Sequence, residues 1–213
     1  MVFYMKSLIE IGSKYPSSKN KYGFIQIYEK YFKDIKDQKL NILEIGIDKG
    51  DSLRIWRDYF PNAKICGLDI DKKDFHINGV EFFFGDQSDK DFLNSIIDKY
   101  NKFDIIIDDG SHNIRDQIIS FNILFRKLIK HGMYVIEDAS QYKAMKNLNL
   151  DNLKFGSKEI LFSIIKGNFN ERKYLSKDDI KKLGSKIKKI HVKKGKFTQK
   201  GINISEIIFV EKL

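Results

Sequence analysis

Two adjacent carboxylates and a histidine close the stretch "FDIIIDDGSHNIRDQ", Phe103 to Gln117: Asp108, Asp109 and His112. The strand-like run before them is apolar, and charge at the tip of a buried strand is costly unless it is used or paired. A second such run, "GMYVIED", ends in Glu137 and Asp138. If the two runs are neighbouring strands, four carboxylates meet at one sheet edge and repel one another. A divalent cation removes that repulsion, and an all-oxygen donor set favours Mg²⁺ or a similar hard ion. Successive strand residues face opposite sides, so Asp108 and Asp109 do different jobs, and the residues alone leave open which one meets the metal. His112, three positions past Asp109, is placed to act as a general base beside that metal. Helix capping and a surface histidine would account for a single aspartate. They account less well for four carboxylates and a histidine at two strand ends.

A second group of residues suits a nucleoside. Glu44, Gly46 and Gly50 in "LEIGIDKGDSL" sit where a strand turns into a helix. Glycines there let a ligand approach the backbone, and the helix start offers free amides. The spacing is not G-x-G-x-x-G, because Asp48 takes the middle position, which weakens a dinucleotide reading. Asp69 in "GLDID" follows at the distance expected of a carboxylate that grips a ribose. Asp86 and Gln87 in "FFFGDQSD" close a third run on the same edge and could hydrogen-bond an adenine.

The elements that must carry these groups are strands alternating with amphipathic helices. Strands are expected at Asn41–Ile47, Ala63–Ile70, Val80–Asp86, Phe103–Asp108 and Gly132–Asp138. Helices are expected at Gly23–Ile35, Asp51–Phe60, Asp89–Tyr100 and Ile114–Ile129, with Leu53, Ile55, Trp56 and Tyr59 of the second facing inward. This pattern gives an α/β fold, a doubly wound and mostly parallel sheet with helices on both faces. "IKKIHVKK" and "ISEIIFVEK" have no helical pattern between them and read as a C-terminal antiparallel hairpin. The stretch from Ala139 to Lys173 carries no clear pattern.

Bulk properties narrow the function classes. With 213 residues and 42% hydrophobic content, one domain with a sizeable core is expected. The apolar runs are too short to span a membrane, and no signal-peptide pattern opens the chain, so a cytoplasmic protein is expected. Cys66 is the single cysteine, which excludes an internal disulfide and a cysteine metal cluster. The net charge is +10, and residues 151 to 213 hold 16 Lys+Arg against 7 Asp+Glu. The lysines are dispersed with little arginine or interleaved aromatic signal, which argues against nucleic acid as the partner.

The order of "LEIGIDKG", "GLDI", "GDQSD", "FDIIIDDGSH" and "YVIED" resembles class I S-adenosylmethionine-dependent methyltransferases. It is most similar to the metal-dependent sugar O-methyltransferases of the macrolide-sugar type, with "SLRIWRDYFPNAKICGLDI" and "IDDGSH" the most specific matches, over roughly Ser17 to Tyr142. The resemblance implies a Rossmann-like methyltransferase fold with a seven-stranded sheet. It divides the chain into an N-terminal helical cap (1–39), a cofactor-binding core (40–140) and a substrate-side segment with the terminal hairpin (141–213). It implies S-adenosylmethionine and Mg²⁺ as cofactors. Glu44, Gly46, Gly50, Asp69, Asp86, Gln87 and Asp108 fall on the cofactor side; Asp109, Glu137 and Asp138 fall at the metal; His112 falls at the base. The acceptor implied is a hydroxyl of a sugar, a sugar nucleotide or a glycosylated small molecule. Catechol-like or phosphate-ester acceptors are the alternative, and a nucleic-acid methyltransferase using the basic C-terminal part is a weaker one. The resemblance also implies a homo-oligomer. The segment before the first strand departs from the pattern, with Ser18 and Tyr22 where the family commonly has Asp and His.

Overall fold

The computed structural model describes residues 6–143, 153, 155–169, 173–199 and 201–213. Three short helices precede the sheet: α1 (Leu8–Gly12), α2 (Ser18–Tyr22) and α3 (Phe24–Phe32). There follow β1 (Asn41–Ile45), α4 (Asp51–Tyr59), β2 (Lys64–Asp69), β3 (Val80–Phe84), α5 (Lys90–Tyr100), β4 (Phe103–Asp108), α6 (Ile114–Leu124) and β5 (Leu128–Ile136). The C-terminal part holds α7 (Ser157–Ile165), α8 (Lys177–Gly184), β6 (Ile187–Lys194), β7 (Thr198–Gln199), β8 (Ile202–Asn203) and β9 (Glu206–Lys212).

Seven strands form one sheet in the order β3-β2-β1-β4-β5-β9-β6. β1 to β5 pair in parallel, and β9 runs antiparallel to both β5 and β6. The strand order reverses between β1 and β4, and ligands of open α/β sheets bind beyond the carboxyl ends of strands at such a point. β4 is central and buried on both faces. Ile105 and Ile107 join the core under α3 and α4, and Ile106 joins the core under α5 and α6. The first of these cores is aromatic: Tyr28 meets Trp56 and Phe209 edge to face, with ring centroids 5.1 and 5.6 Å apart.

Local chemistry fixes the elements that bear the candidate groups. α5 is capped by Asp89, which accepts from the amides of Asp91 and Phe92, and α6 by Asn113, which accepts from Arg115 N–H. Two differences from expectation concern boundaries. α6 stops at Leu124 rather than Ile129, and Leu128 and Ile129 open β5 instead. α7 lies within the stretch that carried no clear pattern. Between the expected hairpin strands a second, two-residue pair, β7 with β8, is inserted.

Candidate active site

The sheet edge at the carboxyl ends of β1, β2, β4 and β5 is hollowed into a cleft of about 670 Å³. Gly46, Asp48 and Asp69 line one side, Asp109, His112 and Asp138 the other, and Ser17, Ser18 and Tyr22 of the α2 segment form a wall. A smaller recess of about 210 Å³ adjoins it, sharing Gly46, Asp69 and Gly110 and lined further by Asp86, Gln87 and Ser111.

The turn after β1 is built for close approach. Gly46 has φ +82°, and a Cβ there would overlap the Asp109 carbonyl, so only glycine fits. Gly50, with φ +78°, precedes α4. Asp69 accepts from the amides of Ile47 at 3.0 Å and Asp71 at 3.0 Å and pairs with Lys73 at 3.1 Å. Burial works against its charge, but the Asp71 and Ile47 N–H groups and Lys73 hold its carboxyl below the usual range. Asp86 and Gln87 stand at the smaller recess, where Asp86 Oδ1 accepts from Ser88 N–H at 2.7 Å.

Among the described residues, Asp109, His112 and Asp138 bring one ligand-type atom each within 4.8 Å of one another. His112 Nε2 is 4.0 Å from Asp109 Oδ1 and 4.0 Å from Asp138 Oδ2. His112 and Asp138 both hold left-handed backbone, with φ +54° and +52°, a conformation that Asp and His tolerate better than most residues. Burial first, and then the Asp109 charge, push the Asp138 carboxyl up to about 8. A buried carboxyl with Oδ1 unpartnered, beside His112 with Nδ1 unpartnered, fits a site that takes a hard cation and a proton acceptor together.

Three expected residues are placed differently. Asp108 is fully buried and does not reach the cleft. It accepts from Ser120 Oγ at 2.7 Å, Tyr134 OH at 3.0 Å and Gln87 Nε2 at 3.1 Å, so its place is the core behind the recess. Gln87 in turn takes the Ser111 N–H on Oε1, which braces the β4 loop. Glu44, also fully buried, accepts from Ser52 Oγ at 2.8 Å rather than lining the cleft. Glu137, just past the end of β5, lies outside the Asp109–His112–Asp138 group and shares Lys19 with Asp109. Its Oε1 accepts from Tyr28 OH at 2.6 Å and from Lys19 Nζ at 2.7 Å.

Lys19 is the residue that sequence reasoning missed. Its ammonium lies 2.7 Å from Asp109 Oδ2, 2.7 Å from Glu137 Oε1 and 3.2 Å from Glu44 Oε1, with 1% of the side chain exposed. Burial alone would lower its pKa, but the three carboxylates outweigh it and hold the ammonium well above the ordinary lysine range. Composition gives no signal of it in a lysine-rich chain; the segment "SSKNKYGF" that holds it stood out only for its departures at Ser18 and Tyr22.

No family model matches the chain. It is 39% identical over 143 residues to mycinamicin VI 2''-O-methyltransferase of Micromonospora griseorubida, which covers 62% of this chain and 35% of that protein. It is 36% identical over 141 residues to demethylmacrocin O-methyltransferase of Streptomyces fradiae, covering 62% of this chain and 36% of that protein. The chain thus spans about a third of the length of the curated relatives it matches. Among solved structures, the MycE methyltransferase of the mycinamycin biosynthetic pathway, in complex with Mg, SAH and mycinamycin VI, superposes with a TM-score of 0.76. That match has 29% identity and covers 98% of this chain and 55% of that one. The fold is the Rossmann-like fold of S-adenosylmethionine-dependent methyltransferases, with the antiparallel hairpin that the sequence predicts.

Proposed function

We propose, from this chain's homology to the macrolide- and polyketide-sugar O-methyltransferases, that it moves a methyl group from S-adenosylmethionine to a hydroxyl of a sugar or glycosylated small molecule. The observation that carries the reading is the convergence of Asp109, His112 and Asp138 on the cleft that begins at the Gly46 turn. Asp69 takes the ribose hydroxyls, and the recess beside Asp86 takes the adenine. Asp109 and Asp138 would hold a Mg²⁺-type cation, and Glu137, with Oε1 committed to Lys19 and Tyr28, would have Oε2 left for it. When bound, that cation would orient an acceptor hydroxyl and lower its pKa. His112 receives the hydroxyl proton as the oxygen attacks the sulfonium methyl. The new C–O bond forms while the C–S bond breaks, and S-adenosylhomocysteine leaves. The cleft walls contribute by aligning the reactants and excluding water.

The test is transfer of labelled methyl to a panel of glycosylated small molecules, free sugars and sugar nucleotides, with and without chelator. Methylation that chelator abolishes is expected. Undiminished transfer in chelator would remove the cation from the reading, and transfer only to catechols would replace the acceptor class. The closeness of the three ligand-type atoms also favours a second reading, in which His112 ligates the cation instead of acting as base. Mn²⁺ titration of His112→Ala separates the two. Unchanged affinity with lost turnover supports the base, and lost affinity supports the ligand.

A further inference from the structure

We propose that Lys19 is a positioning residue shared by the cation site and the cleft wall, an assignment whose cation half rests on the reading of Asp109, Glu137 and Asp138 as cation ligands. Lys19 belongs to α2, a five-residue helix too short to hold its shape alone. Lys19 lines the cleft together with Ser17, Ser18 and Tyr22, and its side chain reaches carboxylates 90 and 118 residues further along the chain. Those acids sit beyond the end of β4 and of β5, and Glu44 adds a third from β1. One buried ammonium therefore joins the wall of the cleft to three neighbouring strands.

Two consequences follow from the contacts. Asp109 and Glu137 are each pinned through one oxygen, Oδ2 and Oε1, which fixes the direction of the other. Asp109 Oδ1 is left toward His112, 4.0 Å from Nε2. The second consequence concerns charge. Glu44, Asp109, Glu137 and Asp138 are four carboxyl groups beside one ammonium, which leaves acid oxygens that a divalent cation could take. Lys19 and the cation are thus complementary partners of the same acids. The ammonium serves the rear oxygens and the cation the front ones. Groups that orient metal ligands from behind typically account for 10–100-fold in metal affinity.

The test is Lys19→Met, measured without cofactor or acceptor. Mn²⁺ binding by calorimetry should weaken by about 10–100-fold. Amide hydrogen exchange over residues 17–24 should quicken at least ~10-fold, because the wall loses its fastening. Equal or tighter Mn²⁺ binding overturns the cation half, since it makes Lys19 a competitor of the metal. Unchanged exchange overturns the wall half. If the variant does not fold, Lys19→Met combined with Glu44→Gln, which removes one charge of each sign, carries the same two measurements. A wild-type protein that binds no Mn²⁺ ends the cation half together with the metal reading, and the exchange measurement still decides the wall half.

Discussion

At the scale of single residues, the site separates into groups that face the cleft and groups that hold them. Asp69 faces it. Its carboxyl is held low by N–H donors despite burial, so its charge is present above the ordinary aspartate range near pH ~4 and lost only as pH falls through the lowered value. Affinity for S-adenosylhomocysteine should therefore stay flat from pH 7 down to about 5. Asp69→Asn should weaken it by about 1.5–3 kcal/mol, the range of a charge-assisted hydrogen bond. Calorimetry across that pH range checks both, and a steady loss of affinity between pH 7 and 5 would place another titrating group at the ribose. Asp108 is a holder. Asp108→Ala removes the carboxylate that accepts from Gln87, Ser120 and Tyr134 in the core, and should cost about 3 kcal/mol in urea unfolding. The same division explains what the sequence disclosed. Asp109, His112 and Asp138 were legible because carboxylates and histidine at the tips of apolar runs are out of place unless used. The side on which Glu137 points, and the partner that occupies it, depend on Lys19 arriving from 118 residues away, which no local pattern encodes.

At the scale of elements, the turns matter more than the strands that carry them. The β1 turn and the β4 loop are in backbone contact, because the space a Gly46 side chain would need is filled by the Asp109 carbonyl. Gly46→Ala should therefore disturb the turn proposed for the cofactor and the loop proposed for the metal at once. The expected outcome is a loss of both S-adenosylhomocysteine and Mn²⁺ binding, with a fall of several °C in melting temperature; loss of only one ligand would show that the two turns move independently. The central strands were readable because burial on both faces leaves unbroken apolar runs such as "DIIID". The boundary between α6 and β5 was not. Leu128 and Ile129 satisfy a helical and an extended pattern equally, and the change of direction rests on a short 3₁₀ turn at Phe125–Lys127. The starts of α5 and α6 show the opposite case: they fall where the helices were expected, each fixed by a side-chain cap, Asp89 and Asn113.

At the scale of the whole molecule, the C-terminal strands and the N-terminal helices share one core. Phe209 of β9 packs against Tyr28 and, with centroids 3.9 Å apart, against Tyr31, both of α3. Tyr28 is the residue that donates to Glu137, so this aromatic contact lies directly behind the site. Phe209→Ala should cost about 3–5 kcal/mol in denaturant unfolding and also weaken Mn²⁺ binding through Tyr28. Stability loss with Mn²⁺ affinity unchanged would show that the core does not reach the acids. The strand order has a further consequence for how the chain reaches this state. β9 lies between β5 and β6, although it follows both in the sequence. During synthesis, β6 leaves the ribosome before the strand that will seat it, and β5 waits with one edge bare. The half of the sheet that closes behind the acids thus completes only after β9 has emerged, so a stalled or truncated translation product would expose a strand edge available to pair with another chain.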